Sequence, residues 1–368
     1  MQDSPFKKLL LIMLLLATSA ALLLQLITSQ FAPKAELSAS KVEKSEPQYS
    51  YQPPRPKISA QAQSPAEEET NILDQLKIPR DKAEAWLAKH HRNAASLLAV
   101  FRAQGDTNYL NEAATNFPND PQVALTILAH DAFPQDRRKW LDLFKASSPS
   151  NSLANYFSAE DYFQNGKPEE AMQELLAASG KAQFDNHGME TQLDAEEMYL
   201  DSGKSPMEAA TFALSAMAGD NLPELADLKR LDNGIADLMK QKIAAGDPDS
   251  ALSLAQMGMN LANQLNSGDG GKYAINHLVG ISTEAIILNA LDQNTAYDFL
   301  DSRTPGQVLR QLKQEKSDYR QQMANFQAAY PDLSAAELNN YYRRAQIYGE
   351  IEAQKWVIQQ HPPAVPQQ

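Results

Sequence analysis

The sequence of 368 residues predicts an all-α protein, in which repeated helical hairpins follow a membrane-crossing N-terminal helix and a disordered polar linker. Three observations carry this reading. Segments between short Gly/Pro turns hold apolar residues at i, i+3 and i+4, and none alternates apolar with polar as a half-buried strand does. The 43% hydrophobic content is rich in Ala and Leu while glycine numbers only 15, which favours helix. Finally, a pattern of Gly, Pro and small residues returns three times between residues 166 and 258.

At the N-terminus, Lys7 and Lys8 directly precede an apolar run from Leu9 to Ile27, interrupted by Thr18, Ser19 and Gln25. At about 1.5 Å per residue the run spans roughly 28 Å, close to the ~30 Å hydrocarbon core of a bilayer. Residues 1–32 are therefore read as a transmembrane anchor, with 9–27 in the membrane and the bulk of the chain extracytoplasmic. In a Gram-negative bacterium that compartment is the periplasm. Lys34, Lys41 and Lys44 soften the charge asymmetry behind this orientation. The competing reading is a cleavable signal sequence using the small residues at 17–21, which would leave a periplasmic or secreted protein.

Residues 33–70, with "SEPQYSYQPPRPK" and "AQAQSPAEEET", have neither periodicity and read as a disordered spacer. Helical hairpins are expected over 71–265, a further helical segment over 266–360 and a disordered tail over 361–368.

The hairpin unit is legible in three aligned stretches. "GKPEEAMQELLAA" places Ala171 after Pro168, "GKSPMEAATFALSA" places Ala209 after Pro206, and "GDPDSALSLAQMG" places Ala251 after Pro248. Four and seven residues beyond each alanine come Leu175 and Ala178, Ala213 and Ala216, then Ala255 and Gly258, all on one helix face. Pro at the first helical position gives up an amide that the helix leaves unpaired anyway. Ser205 with Glu208 has capping-box spacing, Asp247 is a good N-cap, and Gly166, Gly203 and Gly246 can supply the positive φ that ends the preceding helix.

Upstream of the first two glycines, "SAEDYFQNG" and "DAEEMYLDSG" match in Ala159 with Ala195, Glu160 with Glu196 and Phe163 with Tyr199. A weaker copy surrounds Gly105, with Leu110, Ala114 and Phe117 at the equivalent spacing. Pro118 and Pro149 mark junctions between hairpins. Farther on, two long amphipathic segments at roughly 305–327 and 334–359 carry Tyr319, Phe326, Tyr330, Tyr341, Tyr342, Tyr348 and Trp356, expected as core anchors closing the array.

This unit resembles the tetratricopeptide repeat, a helix-turn-helix of about 34 residues. The match is best over 152–185, where Ala159, Tyr162, Gly166, Ala171, Leu175 and Ala178 fall at preferred positions; Pro168-to-Pro206 and Pro206-to-Pro248 are too long for a regular array. The resemblance implies an α-solenoid whose first helices line a partner-binding face. By that analogy Tyr156, Glu160, Phe163, Gln192, Glu196 and Tyr199 would contact a protein or peptide.

Residues 1–70 hold seven acidic and seven basic side chains, so the whole excess of the −13 net charge lies beyond them. An acidic body repels phosphate backbones, which disfavours nucleic acid and favours a basic or amphipathic partner. With no cysteine in the chain, disulfides, thiolate metal sites and a Cys nucleophile are excluded.

Other chemistry finds little support. His90 and His91 are adjacent and point about 100° apart on a helix, so they do not make a metal pair. His130 beside Asp131 has the makings of an acid-base pair but reads better as a surface or interhelical hydrogen bond, and His187 and His277 stand alone in sequence. "NSGDGGKYA" lacks the hydroxyl after Lys272 and the preceding strand of a phosphate loop, and reads as a link between helices. Neither G-x-S-x-G nor H-E-x-x-H occurs. The expectation is a scaffold or adaptor with no cofactor and no metal, open to self-association. An envelope enzyme acting on peptidoglycan, its chemistry in 266–360, is the alternative by fold analogy.

Overall fold

The computed structural model describes residues 77–267 and 270–363. The expected anchor, the linker, residues 71–76 and residues 364–368 of the tail lie outside the described residues. No helix among those described is long and apolar enough to cross a membrane.

The described chain is all-helical, with two isolated bridge pairs (Asn151 with Gln183, Tyr297 with Arg303) and no strand. In chain order the helices are α1 Arg80–Lys89, α2 Ala94–Gln104, α3 Thr107–Asn116, α4 Pro121–Ala129, α5 Arg137–Ser147, α6 Leu153–Gln164 and α7 Pro168–Ser179. There follow α8 Gly188–Asp201, α9 Pro206–Ala244, α10 Pro248–Leu265, α11 Ala274–Leu288, α12 Pro305–Ala329, α13 Ala335–Tyr348 and α14 Glu350–Gln360. Short turns fold α2 on α3, α4 on α5 and α6 on α7 as successive hairpins.

The turn chemistry explains where these helices stop and start. Gly166 has φ 68° between α6 and α7, and Gly203 and Gly246 likewise take positive φ, a conformation that costs a Cβ-bearing residue. Ser205 accepts from the Glu208 amide while the Glu208 carboxylate accepts from the Ser205 amide, completing a capping box at α9. Asp247 caps α10 through the Ser250 amide.

Ala171, Leu175 and Ala178 on α7 are fully buried, and α7 packs on α6 and α10. Small residues there let the helix axes approach. Ala171→Trp is expected to destabilise the protein by ~1–3 kcal/mol through overpacking; an unchanged melting curve would mean that this face carries no packing.

The major departure from the sequence reading is α9. One helix of 39 residues runs straight through Pro223, so the second helix of one hairpin continues into the first helix of the next without a turn. This accounts for the long Pro206-to-Pro248 interval. At 1.5 Å per residue α9 is about 58 Å long, and it packs on α2, α4 and α6 along one side and on α8, α10, α11 and α13 elsewhere.

A second correction concerns 334–359, expected as one amphipathic segment. Gly349, at φ 93°, divides it into α13 and α14, which fold back on each other. A Cβ at this glycine would come within 3.1 Å of the Lys272 carbonyl oxygen, a close approach the sequence did not signal.

Apolar packing is continuous from Ile78 to Leu312. Phe326, Tyr330, Tyr341, Tyr342 and Val357 form a further cluster with Ala210 of α9, and the Tyr342 hydroxyl lies 2.9 Å from that of Thr211. Tyr319 is also buried, so five of the seven aromatics are core anchors as expected. Trp356 is half-buried, and Tyr348 is 62% exposed.

Candidate interaction surface

The six residues expected to face a partner are divided between α6 and α8. On α6, Tyr156 and Glu160 are buried beneath α9. Phe163 is half-buried against Gly234, where a Cβ would approach the ring to 3.0 Å. On α8, Gln192 accepts from the Tyr273 hydroxyl at 3.3 Å, and Glu196 accepts from Gln346 of α13 at 2.9 Å. Tyr199 packs edge-on against Phe212 of α9 at 5.3 Å. Gln192, Glu196 and Tyr199 are all buried.

The expectation of an open face is therefore corrected. The side chains on α6 are covered by the chain's own α9, those on α8 by Tyr273, by α13 and by α9, and most of the six residues hold the protein together. Sequence spacing identified the face but carried no information about what covers it.

The polar groups under α9 form a charged seam. Arg137 of α5 donates to Asp227 of α9 at 2.9 Å and to the Leu128 carbonyl at 3.1 Å. It also lies 3.8 Å from Glu160 and 3.7 Å from Asp161 of α6. Arg230 of α9 donates to Glu160 at 2.9 Å and also binds Asp227. Arg138 binds Asp161 and donates to Ser158 at 2.6 Å. Burial pushes the Glu160 carboxyl up, and Arg230 and Arg137 oppose that shift only partly. Such a network fixes the register of α9 across α5 and α6 because each charge has its partner on another helix.

Deeper still, Asp232 of α9 is fully buried. One carboxylate oxygen accepts from Thr283 of α11 at 2.7 Å; the other has no hydrogen-bond partner, nor does the buried hydroxyl of Tyr156. Burial raises the Asp232 pKa to about 7.

Among the described residues, two of the concave openings lie beside α9. The larger, about 620 Å³, is lined by Phe101 and Arg102 of α2, Leu110 and Asn111 of α3, His130, Tyr199, and Ser215 and Ala216 of α9. Small residues on the α9 side leave the volume free, and the rest of the wall mixes aromatic, aliphatic and polar groups. Tyr199 is thus the sequence-selected residue that borders this cleft. The other opening, about 450 Å³, lies against the hairpin turn of α6 and α7, with Phe163, Gly166, Arg230 and Asp237 on its walls.

Titratable groups also cluster away from these two openings. Asp185, His187 and Glu190 bring three ligand atoms within 4.8 Å of one another; the Asp-x-His-x-x-Glu spacing was the signal for it. They stand at the N-terminus of α8, whose dipole opposes a cation, and Asp185 accepts from the His187 amide at 2.8 Å. Elsewhere, His277 of α11 is 3.2 Å from Glu315 of α12. Burial, with the Glu315 charge, raises Glu284 to about 7. None of these three lines either opening. His90 lies against Trp86 with its ring tilted by 32° at 3.7 Å, and His130 meets the edge of Phe101 at 5.1 Å, consistent with packing roles.

No protein-family model, no curated protein and no solved structure matches the chain.

Proposed function

We propose that this protein is a membrane-tethered, extracytoplasmic helical scaffold of tetratricopeptide-like α-solenoid type, which binds a segment of another protein in the cleft between α2, α3 and α9. The observation carrying the reading is that cleft. Its volume of about 620 Å³ falls in the range of pockets that enclose a ligand or a few side chains. Its walls combine Phe101, Leu110 and Tyr199 with Asn111, Arg102 and His130, a mixture suited to side chains and peptide groups together. The acidic balance of the body favours a basic partner, and the apolar run at 9–27 supplies the membrane attachment.

The test is crosslinking of the full chain in its native membrane, compared with Ala216→Trp. Ala216 is half-buried at the cleft wall, so the indole is expected to fill the opening while leaving the circular dichroism spectrum unchanged. Loss of the crosslinked partner by tenfold or more is expected, about the consequence of closing a binding hot spot. Undiminished capture with the cleft filled would reject the assignment.

A further inference from the structure

A further cavity lies where four segments of the chain converge, and its character differs from that of the two openings beside α9. It is walled by Arg102 of α2, Gln122 and Thr126 of α4, His187 and Thr191 at the start of α8, and Glu224 of α9. The space that the centre of a water molecule can occupy there is about 10 Å³. One water needs roughly 10–15 Å³ on this measure, so the cavity suits a single group of that size and nothing larger.

Two of its walls present polar atoms that the fold itself leaves unanswered. The side-chain oxygen of Gln122 and Nε2 of His187 are both withdrawn from solvent, and neither has a hydrogen-bond partner. Local structure holds each residue in place. Asp120 caps α4 by accepting from the amides of Gln122 and Val123 at 2.9 Å and 3.2 Å, which fixes the Gln122 backbone in the first turn. His187 takes φ 54°, with its amide donating to Asp185 at 2.8 Å and its Nδ1 lying 3.6 Å from the same carboxylate. The opposite ring nitrogen is the one left over. A buried polar atom with no partner costs stability, so two of them in the wall of one small cavity mark a place where a third group answers both.

The wall composition limits what that group is. Arg102 brings a guanidinium, which donates to the Thr126 hydroxyl at 3.0 Å, and Glu224, only 2% exposed, brings a carboxylate. A cation in so small a space would lie against the Arg102 charge, and an anion against Glu224 and the amide oxygen of Gln122. A hydrocarbon group would leave both polar atoms as they are. A neutral molecule that donates as well as accepts suits every wall: it donates to the Gln122 oxygen, and it accepts from or donates to His187 according to the imidazole tautomer.

We propose that this cavity is a specific site for one buried water molecule, which bridges Gln122 of α4 to His187 at the entry to α8. A bridging water is nearly as favourable as a direct hydrogen bond, so it acts here as a structural ligand at the junction of α2, α4, α8 and α9. Arg102 lines this cavity and the cleft alike. The water therefore stands behind one wall of the cleft, and its site does not depend on the cleft having an occupant.

The test is diffraction from crystals of the full chain, grown once with bromide and once with rubidium. A single density peak within hydrogen-bond distance of the Gln122 oxygen and of His187 Nε2 is expected, with no anomalous signal in either salt. A bromide or rubidium signal at that point would make it an ion site, and a direct bond between Gln122 and His187 with no peak would remove the site; either overturns the proposal. In solution, oxygen-17 magnetic relaxation dispersion counts long-lived buried waters. Gln122→Met keeps the length of the side chain but not its acceptor, and with circular dichroism showing the fold retained, the dispersion amplitude is expected to fall by about one water. An undiminished amplitude in that folded variant would also overturn the assignment.

Discussion

Arg137→Met is expected to cost about 3–5 kcal/mol of folding stability, the magnitude found when one member of a buried ion network is removed. The side chain is 18% exposed and is surrounded by Asp227, Glu160 and Asp161, whose own side chains are at most 13% exposed. Removing the guanidinium leaves three carboxylates on two helices with only Arg138 and Arg230 to answer them, and it takes away one of the donors to the Leu128 carbonyl at the end of α4, which keeps the Asp131 amide at 3.3 Å. Both effects act where α9 crosses the hairpins. Denaturant unfolding checks the size of the loss, and the double variant Arg137→Met with Asp227→Leu checks its cause. If the charge left behind is the problem, the double variant recovers at least half of the loss. If it is no more stable than the single variant, lost packing explains the effect.

Asp232→Asn is expected to do the opposite at neutral and alkaline pH, stabilising the fold by about 2–4 kcal/mol. Burial raises the Asp232 pKa from 3.8 to about 7, and each unit corresponds to about 1.4 kcal/mol between the protonation states. Because the folded-state value is raised, the folded protein binds a proton that the unfolded chain has lost over the interval between these values. The contribution to stability is therefore fully present below pH 3.8 and is lost as pH rises through about 7.

Asparagine keeps the shape and can still accept from Thr283, but it carries no charge to bury. Glu284, also raised to about 7, titrates in the same range, so the informative quantity is the difference between variant and parent at each pH. That difference should be near zero at pH 4 and maximal at pH 8. A constant difference across this range would mean that the Asp232 carboxyl does not titrate there. The neighbouring Tyr156 phenol, held up by burial and by the Asp232 charge, should move back toward its ordinary range in the variant, which a spectrophotometric titration can follow.

Both predictions concern groups that local pattern could not interpret. Glu160 was selected from its position on the first helix of a hairpin, and that position was read as surface. Its carboxylate is in fact buried against Arg230 and Arg137, which lie 70 residues after it in one case and on the preceding hairpin in the other. Asp232 and Thr283 are likewise 51 residues apart, and neither belongs to a recognisable motif. The exposure of Leu193 and Leu200 on α8 was not legible either, because helical spacing alone does not say whether a pair of leucines is covered.

What the sequence by itself determined is local. The helices, the turn glycines with positive φ, the prolines at first helical positions, the capping box at Ser205 and the small-residue stripe of α7 all follow from interactions within a few residues, and their signals are correspondingly direct. Tertiary structure decided the rest. It carried α9 through Pro223 as a single spine, because contacts along a helix packed on both sides outweigh the hydrogen bond that one proline removes. It buried the expected partner residues, Tyr156 and Glu160 under that spine and Gln192 and Glu196 against Tyr273 and Gln346, and left a cleft open beside α2 and α3. Which face of an amphipathic helix is covered depends on elements distant in the chain, and helical periodicity is the same whether the cover is the protein itself or a partner.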